Sequence, residues 1–338
     1  VKRTTILVGV AGLTLVAGLA GCSAPAGPDA DAPQEVETLR IALGAAGTHV
    51  TPIILAETLG YADDEGVDLE FSVAGANVLN VVLAGQADIG QGGVGTPLPP
   101  IEAGKPTRII YSVESGAVSS MVLAVPGIDD FEDCRTIVTS ALGSSAYAAA
   151  VTYAEAAGTD PEVRPLGDNA TIVPALLTGQ GDCAVNAPTF LLPGLDQGLH
   201  LIADPHDPET LPDPAPLKSA GVVLFGDATV LQERSSAVAK FFRAVDAAVA
   251  FLETASDAEV AEALAGFPGL EAFTVEDLER LYQNDKPFLS PDGGFIDEET
   301  WSASRDFFAP SFPQLASDDE IWDYANVIDM SYLEAARG

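Results

Sequence analysis

Three histidines, His49, His200 and His206, come first, because an imidazole can both ligate a metal and carry a proton near neutral pH. They lie far apart, and none forms the H-x-x-x-H spacing that puts two ring nitrogens on one helix face. The glycines of residues 90–95 follow a strand-like run but lack the G-x-G-x-x-G spacing of a dinucleotide site, and the chain has no G-x-x-x-x-G-K-[ST] phosphate loop. Ser115 and Gly116 belong to no G-x-S-x-G nucleophile elbow. Asp and Glu number 50, so a carboxylate pair can be drawn almost anywhere and the signal is empty. The expectation is a protein without catalysis, and no metal or cofactor is implied.

Binding chemistry is a different matter. Residues 46–49, 92–96, 114–119, 140–147, 168–169 and 186–190 are short loops rich in Gly, Ser, Thr and Asn, with no Lys or Arg in any of them. Such loops approach a small polar ligand closely and hydrogen-bond to it. The candidates are Thr48, His49, Gly93, Val94, Thr96, Glu114, Ser115, Ser144, Ser145, Tyr147, Asn169 and Asn186. Plainer roles compete: Thr96, Ser144, Ser145 and Asn169 also read as helix caps. His49 also reads as a surface loop residue, and Tyr147 as a side chain closing a first helical turn. Asn186 stands out because an amide ends an otherwise apolar strand.

These loops need elements to hold them. Residues 39–44 read as a strand, followed by a helix with Thr51 at the N-cap, Pro52 after it and Gly60 beyond its end. Residues 66–73 alternate as a half-buried strand does, 77–84 are helical with Gly85 as terminator, and 89–93 form a short strand. That is a parallel α/β unit, and it starts again: strand 135–140, helix 144–157 before Gly158, strand 163–166, helix from Asn169 to Gly179, strand 183–186. The sharpest internal repeat is L-x-G-Q-x-D, at residues 83–88 and again at 177–182. The expectation is two similar α/β lobes, with the ligand in the cleft beyond the carboxyl ends of their strands.

Two apolar extended segments, near residues 112–122 and 219–226, read as the crossovers. This makes 39–118 plus 226–338 the first lobe and 119–225 the second. The C-terminal part is helical, with Val238, Phe241, Phe242, Val245, Val249 and Phe251 at near-helical spacing, as ordinary core burial requires.

The N-terminus reads as a processing signal. Lys2 and Arg3 precede a charge-free stretch, and residues 19–21 bring small side chains up to Cys22. The run is short and interrupted by Gly9, Gly12 and Gly18, which suits a cleaved signal (residues 1–21) better than a membrane span. Residues 19–22 resemble the lipobox of bacterial lipoproteins, whose cysteine thiol takes a diacylglycerol and whose new amino group is acylated by chains such as palmitate. Residues 22–38 would then be a lipidated N-terminus and tether. The net charge of −35, from 15 basic against 50 acidic residues, makes nucleic acid and anionic membrane surfaces poor partners. Setting Cys22 aside leaves Cys134 and Cys183, an even count that allows either a disulfide or two buried thiols.

Taken in order, residues 60–69, 83–93, 143–145 and 177–185 resemble the substrate-binding proteins of ABC importers, in the branch for taurine, alkanesulfonates, nitrate and thiamine-type pyrimidines. The similarity extends to residues 327–335. It implies a type II periplasmic-binding-protein-like fold, two parallel-rich sheets closing on a ligand, and no catalysis. It further implies a monomer, lipid-anchored on the extracytoplasmic face of the cell membrane, delivering a sulfonate, amine, pyrimidine or other small organic molecule to a permease. A sensor or scavenger without a permease is the alternative, and a thiamine-pyrimidine-synthase-like enzyme on the same fold a weaker one. Where this family binds sulfonates a basic side chain often helps; the loops here offer none, which favours a neutral or amine-bearing ligand. The strands beginning near Cys134 and Cys183 are neighbours in the family, so a Cys134–Cys183 disulfide is expected.

Overall fold

The computed structural model describes residues 36–115, 120–212, 219–290 and 293–338. The residues read as a signal segment, Cys22 and nearly all of those read as a tether lie outside the described residues. Strand β1 (Glu37–Leu43) begins inside the segment read as tether, because Glu37 and Thr38 pair with Val67 and Asp68 of β2 (Val67–Val73).

Eight further strands follow: β3 (Ile89–Gly93), β4 (Thr107–Ser115), β5 (Met121–Ala124), β6 (Thr136–Thr139), β7 (Glu162–Pro165), β8 (Cys183–Asn186), β9 (His200–Ala203) and β10 (Ala220–Asp227). They form two five-stranded sheets, ordered β2-β1-β3-β10-β4 and β7-β6-β8-β5-β9. Three strands of each sheet run parallel, joined through helices as parallel pairs must be. The fourth strand in each order, β10 or β5, is antiparallel to both of its neighbours. The two lobes are thus mixed sheets of one design.

The chain enters the second sheet between Ser115 and Met121, inside the segment read as the first crossover. The second crossover reading needs correcting. Residues 220–227 are an interior strand of the first sheet, so the chain leaves the second sheet after Ala203 and does not reach 225 within it. A strand buried on both faces and paired on both edges carries an unbroken apolar run, and that same run reads as an extended linker when its partners are unknown.

The L-x-G-Q-x-D repeat is a repeated piece of structure. Gly85 and Gly179 turn the chain with φ of 68° and 72°, which favours glycine. The amides of Gln86 and Gln180 donate to the carbonyls of Val81 and Ala175, five residues back in each case. Asp88 then accepts from the Arg40 amide (2.9 Å), and Asp182 from the Thr136 amide (2.8 Å). Each carboxylate pins the central parallel strand of its sheet beside the strand it precedes. Asp88 also pairs with the Arg40 guanidinium, which holds its carboxyl below the usual range against the opposing effect of burial.

In the C-terminal region the helix Ser235–Leu252 buries Val238, Phe241, Phe242 and Val245 against the first lobe, with Val249 and Phe251 half-buried. Phe242 stacks on Tyr111 of β4 at 5.4 Å between ring centres. Each such side chain contributes roughly 1.5–3 kcal/mol of burial, enough to make the stripe a packing surface in its own right. Cys134 and Cys183 form a disulfide with Cα atoms 5.8 Å apart, tying the approach to β6 to the start of β8. Among the described residues no helix is long and apolar enough to cross a membrane.

Candidate ligand-binding cleft

The carboxyl ends of both sheets converge on an inner chamber of about 90 Å³. From the first sheet come Gly44 and Ala45 after β1, Gly75 and Ala76 after β2, Gly92 and Gly93 at the end of β3, and Glu114 near the end of β4. From the second come Ser140 after β6, Gly167 after β7, and Asn186 at the end of β8. An outer chamber of about 800 Å³ shares Ala45, Ala76, Asn169 and Phe190 with it and opens among Val73, Val173, Pro193 and Phe273.

Local chemistry fixes these walls. Ser144 caps the helix Ser145–Ala156, its hydroxyl oxygen accepting from the Tyr147 amide at 3.1 Å while the Ser140 hydroxyl donates to it at 2.8 Å. That points the positive end of a helix dipole at the inner chamber, where Ser144, Ser145 and Ala146 form wall. Asn186 donates from its amide nitrogen to Asn169 Oδ1 (2.9 Å) and accepts from the Ala187 amide (2.8 Å), which locks both side chains into the wall. Asp168, and not Asn169, caps the short turn that follows, accepting from the Ala170 amide at 3.0 Å.

Close approach between the lobes depends on Gly93. A Cβ there would stand 2.4 Å from the Ser145 nitrogen and 2.7 Å from the Gly143 carbonyl oxygen, both backbone atoms of the second lobe. A side chain at this position would therefore prop the lobes apart.

Of the twelve candidates, His49, Gly93, Thr96, Glu114, Ser144, Ser145, Asn169 and Asn186 line the inner chamber. Thr48 does not; it is buried behind the wall, bonded to Thr189 and Asp285. Val94 is wholly buried and belongs to the apolar core. Tyr147 contributes its backbone to the serine cap and lines neither chamber. Ser115 ends β4, and its side chain lies outside the described residues. Thr96 caps nothing, since the helix Leu98–Glu102 starts without a side-chain cap. Thr51 is likewise already helical, and its hydroxyl donates back to the Thr48 carbonyl at 2.6 Å.

Gln91 is a wall residue missing from the candidates. Its side-chain oxygen accepts from the Gly44 amide at 2.9 Å and the Ala45 amide at 3.4 Å, shaping the loop after β1. An amide within a buried strand was the available signal. Residues 75–78 were missed too, although they follow the carboxyl end of β2 as the cleft rule requires.

The electrostatics are one-sided. His49 is 5 % exposed, and burial pushes its pKa down to about 4, so it is neutral at physiological pH. Its Nδ1 is buried without a hydrogen-bond partner, and its ring meets Phe190 edge-on at 6.1 Å. His200 and His206 stand elsewhere, against the Ile128 and Asn284 carbonyls. Glu114 is 1 % exposed. Among the described residues no Lys or Arg lines either chamber, and no group of three or more His, Cys, Asp or Glu is placed to hold a metal ion.

Solved structures share this architecture. A protein from Bordetella bronchiseptica RB50 matches with TM-score 0.70 at 21% identity, over 89% of this chain and 96% of its own. The periplasmic nitrate-binding protein NrtA from Synechocystis PCC 6803 matches with TM-score 0.69 at 14% identity, over 90% of this chain and 89% of its own. The alkanesulfonate-binding protein SsuA from Xanthomonas axonopodis pv. citri, bound to MOPS, matches with TM-score 0.64 at 18% identity, over 82% of this chain and 94% of its own. These likenesses identify the two-lobed periplasmic-binding-protein fold. No curated protein matches the chain in sequence. Residues 47–255 match the family described as NMT1/THI5 like, well over half of the chain, and the protein belongs to that family.

Proposed function

We propose that this protein is a lipid-anchored receptor on the extracytoplasmic face of the cell membrane that captures a small organic molecule between its lobes and presents it to an ABC importer. The observation that carries the reading is a small chamber walled by the carboxyl ends of both sheets. A ligand held there touches both lobes, so the closed state gains contacts that the open state lacks, and binding drives closure. The family and the nitrate-binding and alkanesulfonate-binding neighbours support a transport role. The anchor rests on residues 1–22 of the sequence. One acyl chain gives only marginal membrane binding, so the multiple chains expected on Cys22 would keep the receptor at the surface.

The test has two arms. Molecules released from the purified protein are identified by mass spectrometry, then returned to it; a cognate ligand lowers the radius of gyration in solution scattering and raises the melting temperature by several degrees. A screen across sulfonates, amines, pyrimidines and aromatics that moves neither quantity overturns the receptor. In cells, Cys22→Ser releases the protein from the membrane fraction; retention of that variant overturns the anchor.

A further inference from the structure

Two pairs of consecutive residues meet where the lobes touch: Thr48 and His49 after β1, and Thr189 and Phe190 in the helix Pro188–Leu191. The two hydroxyls stand 3.0 Å apart, and both donate to Oδ2 of Asp285, Thr48 at 2.5 Å and Thr189 at 3.4 Å. Their successors are wall residues: His49 lines the inner chamber, Phe190 borders both chambers, and the rings face each other edge-on with centres 6.1 Å apart. The loop that carries His49 is packed against this junction, since a Cβ on Gly47 would stand 2.6 Å from His49 Nδ1 and 3.3 Å from the Thr189 hydroxyl oxygen. Asp285 lines neither chamber; it is wholly buried at the end of the helix Val275–Asp285. That helix is shared between the lobes. Leu278 and Tyr282 belong to the cluster that holds the first lobe's core, and Leu281 to a cluster whose other buried members all come from the second lobe.

We propose that Asp285 is a positioning residue of the cleft: by binding both threonines it sets His49 and Phe190 against each other and makes the helix Val275–Asp285 a clasp on the closed state. This inference rests on the receptor reading and deepens it. Opening draws the helix Pro188–Leu191 away, so Thr189 leaves the carboxyl group and water reaches it. The closed form alone then holds a dehydrated carboxyl, and a proton on Asp285 favours closure. Burial raises its pKa to about 7 in the closed form, so closure weakens as pH rises toward 7 and changes no further above it. His49, buried in the same form with its pKa pushed down to about 4, works in the opposite sense. His206, bonded to Asp204 and to the Asn284 carbonyl, pulls the Asp285 pKa down. On the other neighbouring elements Lys286 pairs with Asp257 at 2.9 Å, Glu259 and Glu262 are exposed, and Tyr282 ionises only near about 12. The helix Pro188–Leu191 has no titratable side chain. All of these groups are common to the wild type and Asp285→Asn, so comparing the two isolates the carboxyl.

Histidine NMR on the full-chain protein, labelled at the imidazole carbons and with no small molecule added, tests it. The chain has three histidines, so His49→Gln assigns the His49 signal, and His200, against the Ile128 carbonyl, serves as the internal reference. Phe190→Leu should shift the His49 signal, because it removes the aromatic ring beside the imidazole. Thr189→Val, which removes the hydroxyl and keeps the shape, should shrink that Phe190-dependent shift and leave His200 unmoved; Thr48→Val should do the same from the other lobe. Each variant is checked for folding by its melting curve. As pH rises from about 5 to 7 the Phe190-dependent shift should fall in the wild type relative to Asp285→Asn, and the difference should stay constant above about 7. An Asp285 that only filled space would give parallel pH profiles. A His49 signal indifferent to Phe190→Leu overturns the proposal, as does a shift that survives both threonine variants in full, or parallel profiles. The receptor reading is judged separately, by whether the molecule released from the native protein compacts it in scattering.

Discussion

The hydroxyl oxygens of Thr48 and Thr189 lie 3.0 Å apart, joining the loop after β1 in the first lobe to the helix Pro188–Leu191 in the second. Both hydroxyls also reach Asp285 Oδ2, Thr48 at 2.5 Å and Thr189 at 3.4 Å. Asp285 ends the helix Val275–Asp285 and is wholly buried. Its other oxygen, Oδ1, has no hydrogen-bond partner. Two lobes and a C-terminal helix therefore meet at one dehydrated carboxyl group.

Burial pushes the Asp285 pKa up to about 7, against the opposing pull of the two threonine hydroxyls and the nearby His206. A carboxyl group whose folded pKa is raised contributes its stability fully below the unfolded value near 4 and loses it as pH rises through about 7. His49, the next residue after Thr48, works in the opposite sense: its folded pKa of about 4 gives stability present above pH 6.5 and lost as pH falls toward 4. The two partly cancel in the wild type. Asp285→Asn removes only the first, so the variant should gain on the wild type by about 1.4 kcal/mol per pH unit at most between pH 5 and 7, with no further gain above. Urea denaturation of both proteins from pH 5 to 8 reads the difference; parallel curves would mean that Asp285 does not titrate in this range.

How much of this was legible follows from which contacts are local. The turn at Gly85 and the turn at Gly179 are written in six consecutive residues, so the repeat, the strands around it and the paired lobes were readable. Ser144 was readable as a cap for the same reason. The β10 strand was not, because nothing within residues 220–227 distinguishes a linker from a strand whose two partners lie more than 100 residues earlier in the chain. Thr48 has the composition of a ligand contact but spends its hydroxyl on Asp285, 237 positions away. Conversely Gln91 shapes the cleft through the loop after β1, a role set by the register of β3 beside β1 and hidden from local reading.

Gly93→Ala tests whether the lobes must meet as closely as they do. The new methyl group would meet backbone at 2.4 and 2.7 Å, and neither atom can swing away as a side-chain end does. The residue's φ is not in the left-handed region, so alanine brings no backbone strain, and the three atoms nearest its methyl group all belong to the second lobe. The variant should keep its circular dichroism and melting transition, show a larger radius of gyration, and bind its ligand at least about fivefold more weakly, since closure loses on the order of 1–3 kcal/mol to overpacking. Unchanged affinity and compaction would show that the lobes close without this contact.

The Cys134–Cys183 bridge lies wholly within the second lobe, and both cysteines are buried. It closes a stretch with a sequence separation of 49, for which the chain-entropy relation gives a stabilisation of about 4 kcal/mol. Replacing both cysteines by alanine should lower the urea midpoint accordingly. The bridge ties only elements of the second lobe, so the loss should show as early loosening around β6 and β8 in hydrogen exchange. Thiol labelling of the denatured, unreduced protein should leave both cysteines unmodified, and prior reduction should expose both. Labelling without reduction would remove the bridge, and with it the covalent tie that holds β6, which leads into the loop carrying Ser144, and β8, which ends on Asn186, in one frame.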